Sequence, residues 1–315
     1  MKYRRLGRSG LKVSEISLGS WLTYGKSVED NVAERTIKQA YDLGINFFDT
    51  ANAYERGEGE RVMSAALRSY PRESYVLATK AFWPMGPGPN DRGLSRKHVF
   101  EQVHASLKRM QLDYVDIFYC HRYDPETPVD ETLRVIDDLI RQGKILYAGV
   151  SEWTAAQIEE AIAVADAKLL DRIVVNQPRY SLLNRGIEKE IVPVSMKYGI
   201  GQVVFSPLQQ GILTGKYKVG VVPEDSRAAN EEINQGVQGY LKEDVLKRVE
   251  QLGEIAQSLN ISTAQLALAW VLHKPGIASA LVGASRPEQI VENAKASEVE
   301  LTPEIMEKIE ELFPN

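Results

Sequence analysis

The sequence predicts a closed (β/α)8 barrel, an α/β fold, with an N-terminal β-hairpin in front of it and an extra C-terminal helix behind it. Two observations carry this. Eight short apolar runs recur along 315 residues, and each is followed by a stretch with helical periodicity. Strands that alternate with helices pair in parallel beneath those helices. Eight repeats over this length suit a closed barrel better than an open sheet.

The elements follow in order. KYRRL and LKV flank Gly-Arg-Ser-Gly, which reads as a hairpin covering the barrel's N-terminal mouth. The strand runs are EISLG, INFFD, YVLATK, VDIFYC, ILYAGVS, RIVVNQ, QVVFSP and ASALVGA. Between them lie VAERTIKQAYDLG, ERVMSAALRSY, RKHVFEQVHASLKRM, ETLRVIDDLIRQGK, AQIEEAIAVADA, EKEIVPVSMKYG and VLKRVEQLGEIAQSL, all helical patterns. TAQLALAWVLHK and PEQIVENAKA bracket the last strand. LTPEIMEKIEELFPN closes the chain as a helix capped by Thr302, with Pro303 in its first turn. Two segments break the rhythm, residues 83–93 and residues 209–240, and both follow strands. A loop as long as the second is rarely idle in a compact domain. No linker interrupts the pattern, so residues 1–315 read as a single domain.

Composition narrows the function. The hydrophobic and charged fractions, 43% and 26%, are those of a globular protein rather than a disordered one. A net charge of −5 without a dense basic run argues against nucleic acid as a partner. No stretch reaches the ~18–20 apolar residues of a membrane span, and the first residues lack a signal-peptide core. Cys120 is the one cysteine, so no intrachain disulfide forms, which favours a reducing compartment. The expectation is a cytoplasmic protein without membrane insertion. His98, His104 and His273 sit on helical stretches without metal-ligand spacing, so no metal is expected.

In such a barrel, chemistry gathers at the C-terminal ends of the strands. Those ends supply Gly19, Ser20 and Trp21, then Asp49 with Tyr54 just beyond, then Lys80, then Cys120 and His121. Ser151, Asn176, Gln177, Phe205 and Ser206 follow. Asp49, Tyr54, Lys80 and His121 together suggest proton transfer to a reacting oxygen. A free phenol, pKa ~10, is too weak an acid near neutrality. A neighbouring ammonium favours tyrosinate, and Lys80 would supply it. A buried lysine needs a counter-ion, which Asp49 would be. His121 would donate a hydrogen bond to a substrate carbonyl, and Tyr54 would act as general acid. Singly, each residue has an ordinary structural reading, as a turn residue, a packed aromatic, a surface lysine or a core histidine. Lys80 as a Schiff-base nucleophile is a third chemical reading. Beyond the last strand, ASRPEQIVEN opens a helix whose free amides suit an anion, with Arg286 adding positive charge. Ser285 and Glu288 also fit a capping box there. Cys120 reads as a small buried hydrophobe.

With those residues in view, the chain resembles the aldo-keto reductases, through INFFDTANAY, LATK, DYVDIFYCHRYD, GVSEW, VVNQPRYSLLNR, FSPLQQGILTGKY and VGASRPEQIVENA. The resemblance runs from the hairpin to near the C-terminus. It is strongest to the branch holding the voltage-gated potassium channel β subunits and their bacterial NADPH-dependent relatives. It implies NADPH/NADP+ as cofactor and reduction of a small-molecule carbonyl substrate, an aldehyde or ketone. It implies a catalytic tetrad of Asp49, Tyr54, Lys80 and His121. Channel-subunit relatives commonly carry an amide where this chain keeps His121. By the same resemblance, Ser151 and Gln177 bond the nicotinamide amide, Phe205 stacks on its ring, and Gly19, Trp21, Asp49 and Ser206 flank it. Leu208, Gly211, Thr214 and Lys216 reach the pyrophosphate. Gly283, Ser285, Arg286, Gln289, Glu292 and Asn293 hold or flank the 2′-phosphate and adenine. Trp21, Tyr54, Phe82, Trp83, His121, Arg122 and Tyr123 are expected to line the substrate pocket. The competing reading is an NADP(H)-binding regulatory or redox-sensing subunit with slow turnover.

Overall fold

Eight parallel strands close into a barrel in the computed structural model, which describes residues 1–25, 27–224, 226–231 and 233–315. Ahead of it, β1 (Tyr3–Arg5) and β2 (Lys12–Ser14) pair antiparallel as the predicted hairpin. The barrel strands are β3 (Ile16–Gly19), β4 (Phe47–Asp49), β5 (Val76–Ala81), β6 (Val115–Cys120), β7 (Ile145–Ser151), β8 (Ile173–Gln177), β9 (Gly201–Phe205) and β10 (Ile277–Val282). β10 closes on β3, with Ala280, Leu281 and Val282 opposite Ile16, Ser17 and Leu18. On this seam the Ser279 hydroxyl lies 2.9 Å from Ser17 Oγ of β3, and it donates to the Ser14 carbonyl at the end of β2 at 2.7 Å.

Both faces of every strand are covered, which is why the strands read as near-continuous apolar runs. Alternate residues go to different layers. Phe47, Ala78, Ile117, Tyr119, Val175 and Val203 pack together inside the barrel. Phe48, Leu77, Phe118, Val150 and Val204 pack outside it, against the helices. Leu6 and Val13 of the hairpin join the inner cluster. The Arg8 amide donates to Gly199 just before β9, at 2.8 Å, and the Ser14 amide to Asn46 Oδ1 just before β4, at 2.7 Å. The hairpin therefore closes the N-terminal mouth. Gly7 at φ +60° makes the close approach possible, since a Cβ there would lie 2.2 Å from the Gly199 oxygen.

Inside the barrel the Tyr119 ring lies across Gly149, its partner in register on β7. A Cβ on Gly149 would sit 2.6 Å from both Tyr119 and Val175. Gly149→Ala is therefore expected to cost about 1–3 kcal/mol by overpacking. A thermal melt checks this, and an unchanged melting temperature would show that the ring has room to shift.

The predicted helices are present, with one difference. EKEIVPVSMKYG divides into a 3₁₀ turn, Gly186–Glu188, and a helix, Ile191–Tyr198. Pro193 has no N–H to give a preceding turn, so the helix begins just before it. Thr302 caps the last helix by accepting from the Ile305 amide. The 209–240 segment is shaped rather than loose. It contains 3₁₀ turns at Gln209–Thr214 and Arg227–Ala229 and a short helix at Gln235–Gln238. Tyr217, Ala228 and Val237 anchor it in the main core. Among the described residues, no single helix is long and apolar enough to cross a membrane.

Candidate active site

The C-terminal ends of β4, β5 and β6 bring Asp49, Lys80 and His121 to one mouth of the barrel, and the turn after β4 brings Tyr54 over them. Lys80 and Asp49 are buried and ion-paired. Lys80 Nζ also donates to the Thr50 carbonyl at 2.9 Å and lies 3.3 Å from Tyr54 Oη. Gln177 Nε2 donates to the other carboxylate oxygen, Asp49 Oδ1, at 2.9 Å. The His121 ring meets Tyr54 edge-on, with centroids 5.6 Å apart, and its Nδ1 is buried with no partner among the described residues.

The Tyr54 turn is held under strain. Glu55 and Arg56 both adopt left-handed backbone angles, φ +47° and +54°. Each such non-glycine residue costs about 1–2 kcal/mol. The Asn52 amide donates to the Lys80 carbonyl, and Gly59 packs against Tyr54 Cβ, so the turn is clamped from both sides.

Burial alone would lower the pKa of Lys80, but the Asp49 carboxylate and the Tyr54 oxygen outweigh it and hold the ammonium above its ordinary value. For Tyr54, burial is the larger influence, and it raises the phenol above its ordinary value. Lys80 pulls it down, as expected from the sequence, without overcoming that burial. Burial, with Lys80 and Arg122 nearby, pushes His121 well below its ordinary value, so the imidazole is neutral. The cluster therefore presents a protonated phenol and a neutral imidazole around one charged pair. Burial also pushes the Cys120 thiol up to about 12, which fits a core residue rather than a reactive one.

A single cavity of about 1200 Å³ runs from this mouth to the start of the helix Pro287–Ala294. Gly19, Trp21, Asp49, Ser151, Gln177, Phe205 and Ser206 line its first part. Leu208, Gly211, Thr214 and Lys216 follow, and Gly283, Ser285, Arg286, Gln289, Glu292 and Asn293 line its far end. Tyr54, Trp83, His121 and Arg122 face the same space, while Lys80 lies beneath.

Two pocket expectations are corrected. Phe82 is turned into the main core, where its carbonyl accepts from the Gly93 amide and its ring meets Trp83 edge-on. Tyr123 packs against Trp153, with centroids 5.0 Å apart. Neither residue lines the cavity. The Ser285–Glu288 capping box also does not form. Arg286 is the N-cap of that helix, and the Ser285 amide and hydroxyl both engage Gln289 Oε1 instead, at 2.8 and 3.1 Å.

Three cationic residues of the cavity wall, Arg56, Arg179 and Arg227, went unnoticed in the sequence. Arg179 lies two positions after Gln177, its guanidinium 5.5 Å from the Phe205 ring centre and its Nε buried without a partner among the described residues. Arg227, in the long segment, has its pKa lowered by burial. Lone arginines in irregular stretches carry no periodic signal. The only hint was their place beside segments already suspected.

The Aldo/keto reductase family model matches residues 15–313. A protein of Oryza sativa subsp. japonica named "Probable voltage-gated potassium channel subunit beta" is 45% identical, over 98% of this chain and 96% of its own length. A protein of Arabidopsis thaliana with the same name is 45% identical over 99% and 97%. A Schizosaccharomyces pombe protein named "Putative voltage-gated potassium channel subunit beta" is 46% identical over 99% and 93%. A match across the whole barrel, with relatives this similar from end to end, means that the chain belongs to the aldo/keto reductase family.

Proposed function

We propose that the protein is an NADP(H)-dependent oxidoreductase of the cytoplasm that reduces aldehydes or ketones to alcohols. Family membership supports oxidoreductase activity. The observation that carries the finer reading is the buried Lys80–Asp49 pair against Tyr54 Oη, with neutral His121 at its edge. A dinucleotide fits the cavity's chemistry. Lys216, Arg227 and Arg286 line it, and no carboxylate pairs with any of them among the described residues. These three would take the phosphates, Phe205 the nicotinamide ring, and Ser151 and Gln177 its amide.

When bound, a reduced nicotinamide supplies the hydride. The chain's own residues do the rest. His121 keeps one N–H to orient a carbonyl oxygen at the mouth. Tyr54 holds the proton that oxygen needs once it becomes an alkoxide. Lys80 then stabilises the phenolate left behind, and Asp49 keeps Lys80 charged.

Mixing the protein with NADPH and a panel of aldehydes and ketones tests this. Loss of nicotinamide absorbance is expected, and no loss across the panel would overturn the proposal. The same assay run against pH has a defined shape. Reduction needs Tyr54 protonated, so activity is present at neutral pH and lost as pH rises through the phenol's raised pKa, above ~10. No limb is expected near ~6.5, where a free histidine titrates. A limb there would show His121 charging.

The relatives' names favour one second reading. Three of them are named as voltage-gated potassium channel subunits beta, which suits a subunit of a protein assembly. On that reading this chain would be an NADP(H)-binding regulatory or redox-sensing subunit with slow turnover. Negligible turnover with a stably co-purifying partner would support it, and steady turnover counts against it.

A further inference from the structure

The protein carries a net charge of −5, yet its cavity wall is positive. Among the described residues, six cationic side chains line it, Arg56, Arg122, Arg179, Lys216, Arg227 and Arg286, against two acidic ones, Asp49 and Glu292. Asp49 is already neutralised by Lys80. Under the carbonyl-reduction reading, Lys216, Arg227 and Arg286 answer the three phosphate groups of the cofactor. Three arginines remain at the end where the proton donor sits.

Arg122 is the best placed of them. It follows His121 directly, and its Nη1 donates to the His121 carbonyl at 2.6 Å. Its guanidinium lies 5.5 Å from the centre of the Trp83 ring, which itself meets His121 edge-on at 6.2 Å. One hydrogen bond and one aromatic face thus fix the group beside the reacting position. A guanidinium has five N–H donors, and the protein uses one. No carboxylate pairs with it among the described residues, although it is half-buried. Arg179 is half-buried too, with a buried Nε that has no hydrogen-bond partner among the described residues and the Phe205 ring 5.5 Å away. The Glu152 carboxylate accepts from its backbone amide at 2.7 Å and forms no ion pair with its guanidinium among the described residues. Two half-buried guanidinia thus keep donors open toward the cavity, which an anion would satisfy. Arg56 is exposed and adds only to the field.

We infer that the substrate is an anionic carbonyl compound, of which an ω-oxo carboxylate is the simplest, with Arg122 as its main anchor and Arg179 as a second. This rests on the carbonyl-reduction reading. An arginine fork suits a carboxylate because two parallel N–H donors meet two oxygens. The anchor also sets polarity, since an anion held at Arg122 directs the other end of a short molecule toward Tyr54 and His121.

The test compares 4-oxobutanoate with its methyl ester, which has nearly the same shape and no charge. With NADPH present, kcat/KM for the acid should exceed that for the ester by roughly tenfold to a hundredfold, the range of a hydrogen bond to a charged group. Most of the difference should lie in KM and shrink as salt is added. Arg122→Met should bring the acid-to-ester ratio to near one, and Arg122→Lys should restore part of it. Equal turnover of acid and ester by the wild type would overturn the anion site and leave carbonyl reduction standing, as would a ratio unmoved in Arg122→Met. If neither compound is reduced, titration of the NADP+-loaded protein with 4-oxobutanoate, followed by tryptophan fluorescence, decides separately. Saturable binding lost in Arg122→Met supports the anion site although reduction has failed, and no binding by the wild type overturns it.

Discussion

Replacing Tyr54 with phenylalanine is expected to lower kcat for carbonyl reduction by about 10²–10⁴-fold, the usual worth of a positioned proton donor. The substitution removes only the hydroxyl that lies 3.3 Å from Lys80 Nζ. The ring keeps its edge contact with His121 and its place over the Lys80 ammonium, 5.0 Å from the ring centre. NADPH affinity should therefore be nearly unchanged, because no predicted cofactor contact is lost. Steady-state assays give the first quantity and a fluorescence titration the second. Activity retained at wild-type level would show that the proton comes from elsewhere. A parallel loss of cofactor affinity would show that the turn, rather than the hydroxyl, had been damaged.

Asp49→Asn is expected to destabilise the fold by about 3–5 kcal/mol, because it leaves the Lys80 ammonium buried without its counter-charge. Nζ would keep neutral acceptors, the Thr50 carbonyl, the Tyr54 hydroxyl and the new amide oxygen, but no opposite charge. The sign of the pH dependence follows from Lys80. Its pKa in the folded protein is raised, so its contribution to stability is whole below the unfolded value, ~10.4, and is lost as pH rises through the folded value. The gap between wild type and variant should thus be wide at pH ~7 and narrow at strongly alkaline pH in urea titrations. Replacing both partners with apolar residues, Asp49→Leu with Lys80→Met, should recover much of the stability without recovering turnover. A single Asp49→Asn protein as stable as the wild type would mean that the pair is not charged in the folded state.

Much of the architecture was legible, for a physical reason. A barrel strand buried on both faces cannot carry a polar side chain cheaply, so runs such as IVV in β8 or VVF in β9 stand out against charged helices. β4 is only three residues long, yet Asp49 marks its end because a carboxylate there must have a reason. The clustering of Asp49, Tyr54, Lys80 and His121 was readable because three of them sit at or just past successive strand ends and Tyr54 lies on the turn after the first. The misses lie where regular structure stops. Phe82 and Tyr123 were placed in the pocket by proximity to Trp83 and His121, but the chain turns after each strand and points them elsewhere. Arg179 and Arg227 lie in irregular segments, and nothing in their neighbours' spacing announces a cavity. The direction of the Tyr54 shift was misjudged for a related reason. Charge is written in the sequence one residue at a time, whereas burial belongs to the assembled barrel.

The seam between β3 and β10 has a consequence for how the protein is made. Beside it, the Ser279–Ser14 hydrogen bond joins β10 to a residue two positions before β3, 265 positions away. At ~5–20 residues per second, a ribosome needs about 13–53 s to span that distance. Through that interval β3 has one neighbour in place and one edge bare, its backbone N–H and C=O groups open to any other strand. No partial ring can shield it, because the closing strand is the last of the eight barrel strands to be made. The time for which that edge stays open to mispairing is therefore set by when β10 leaves the exit tunnel.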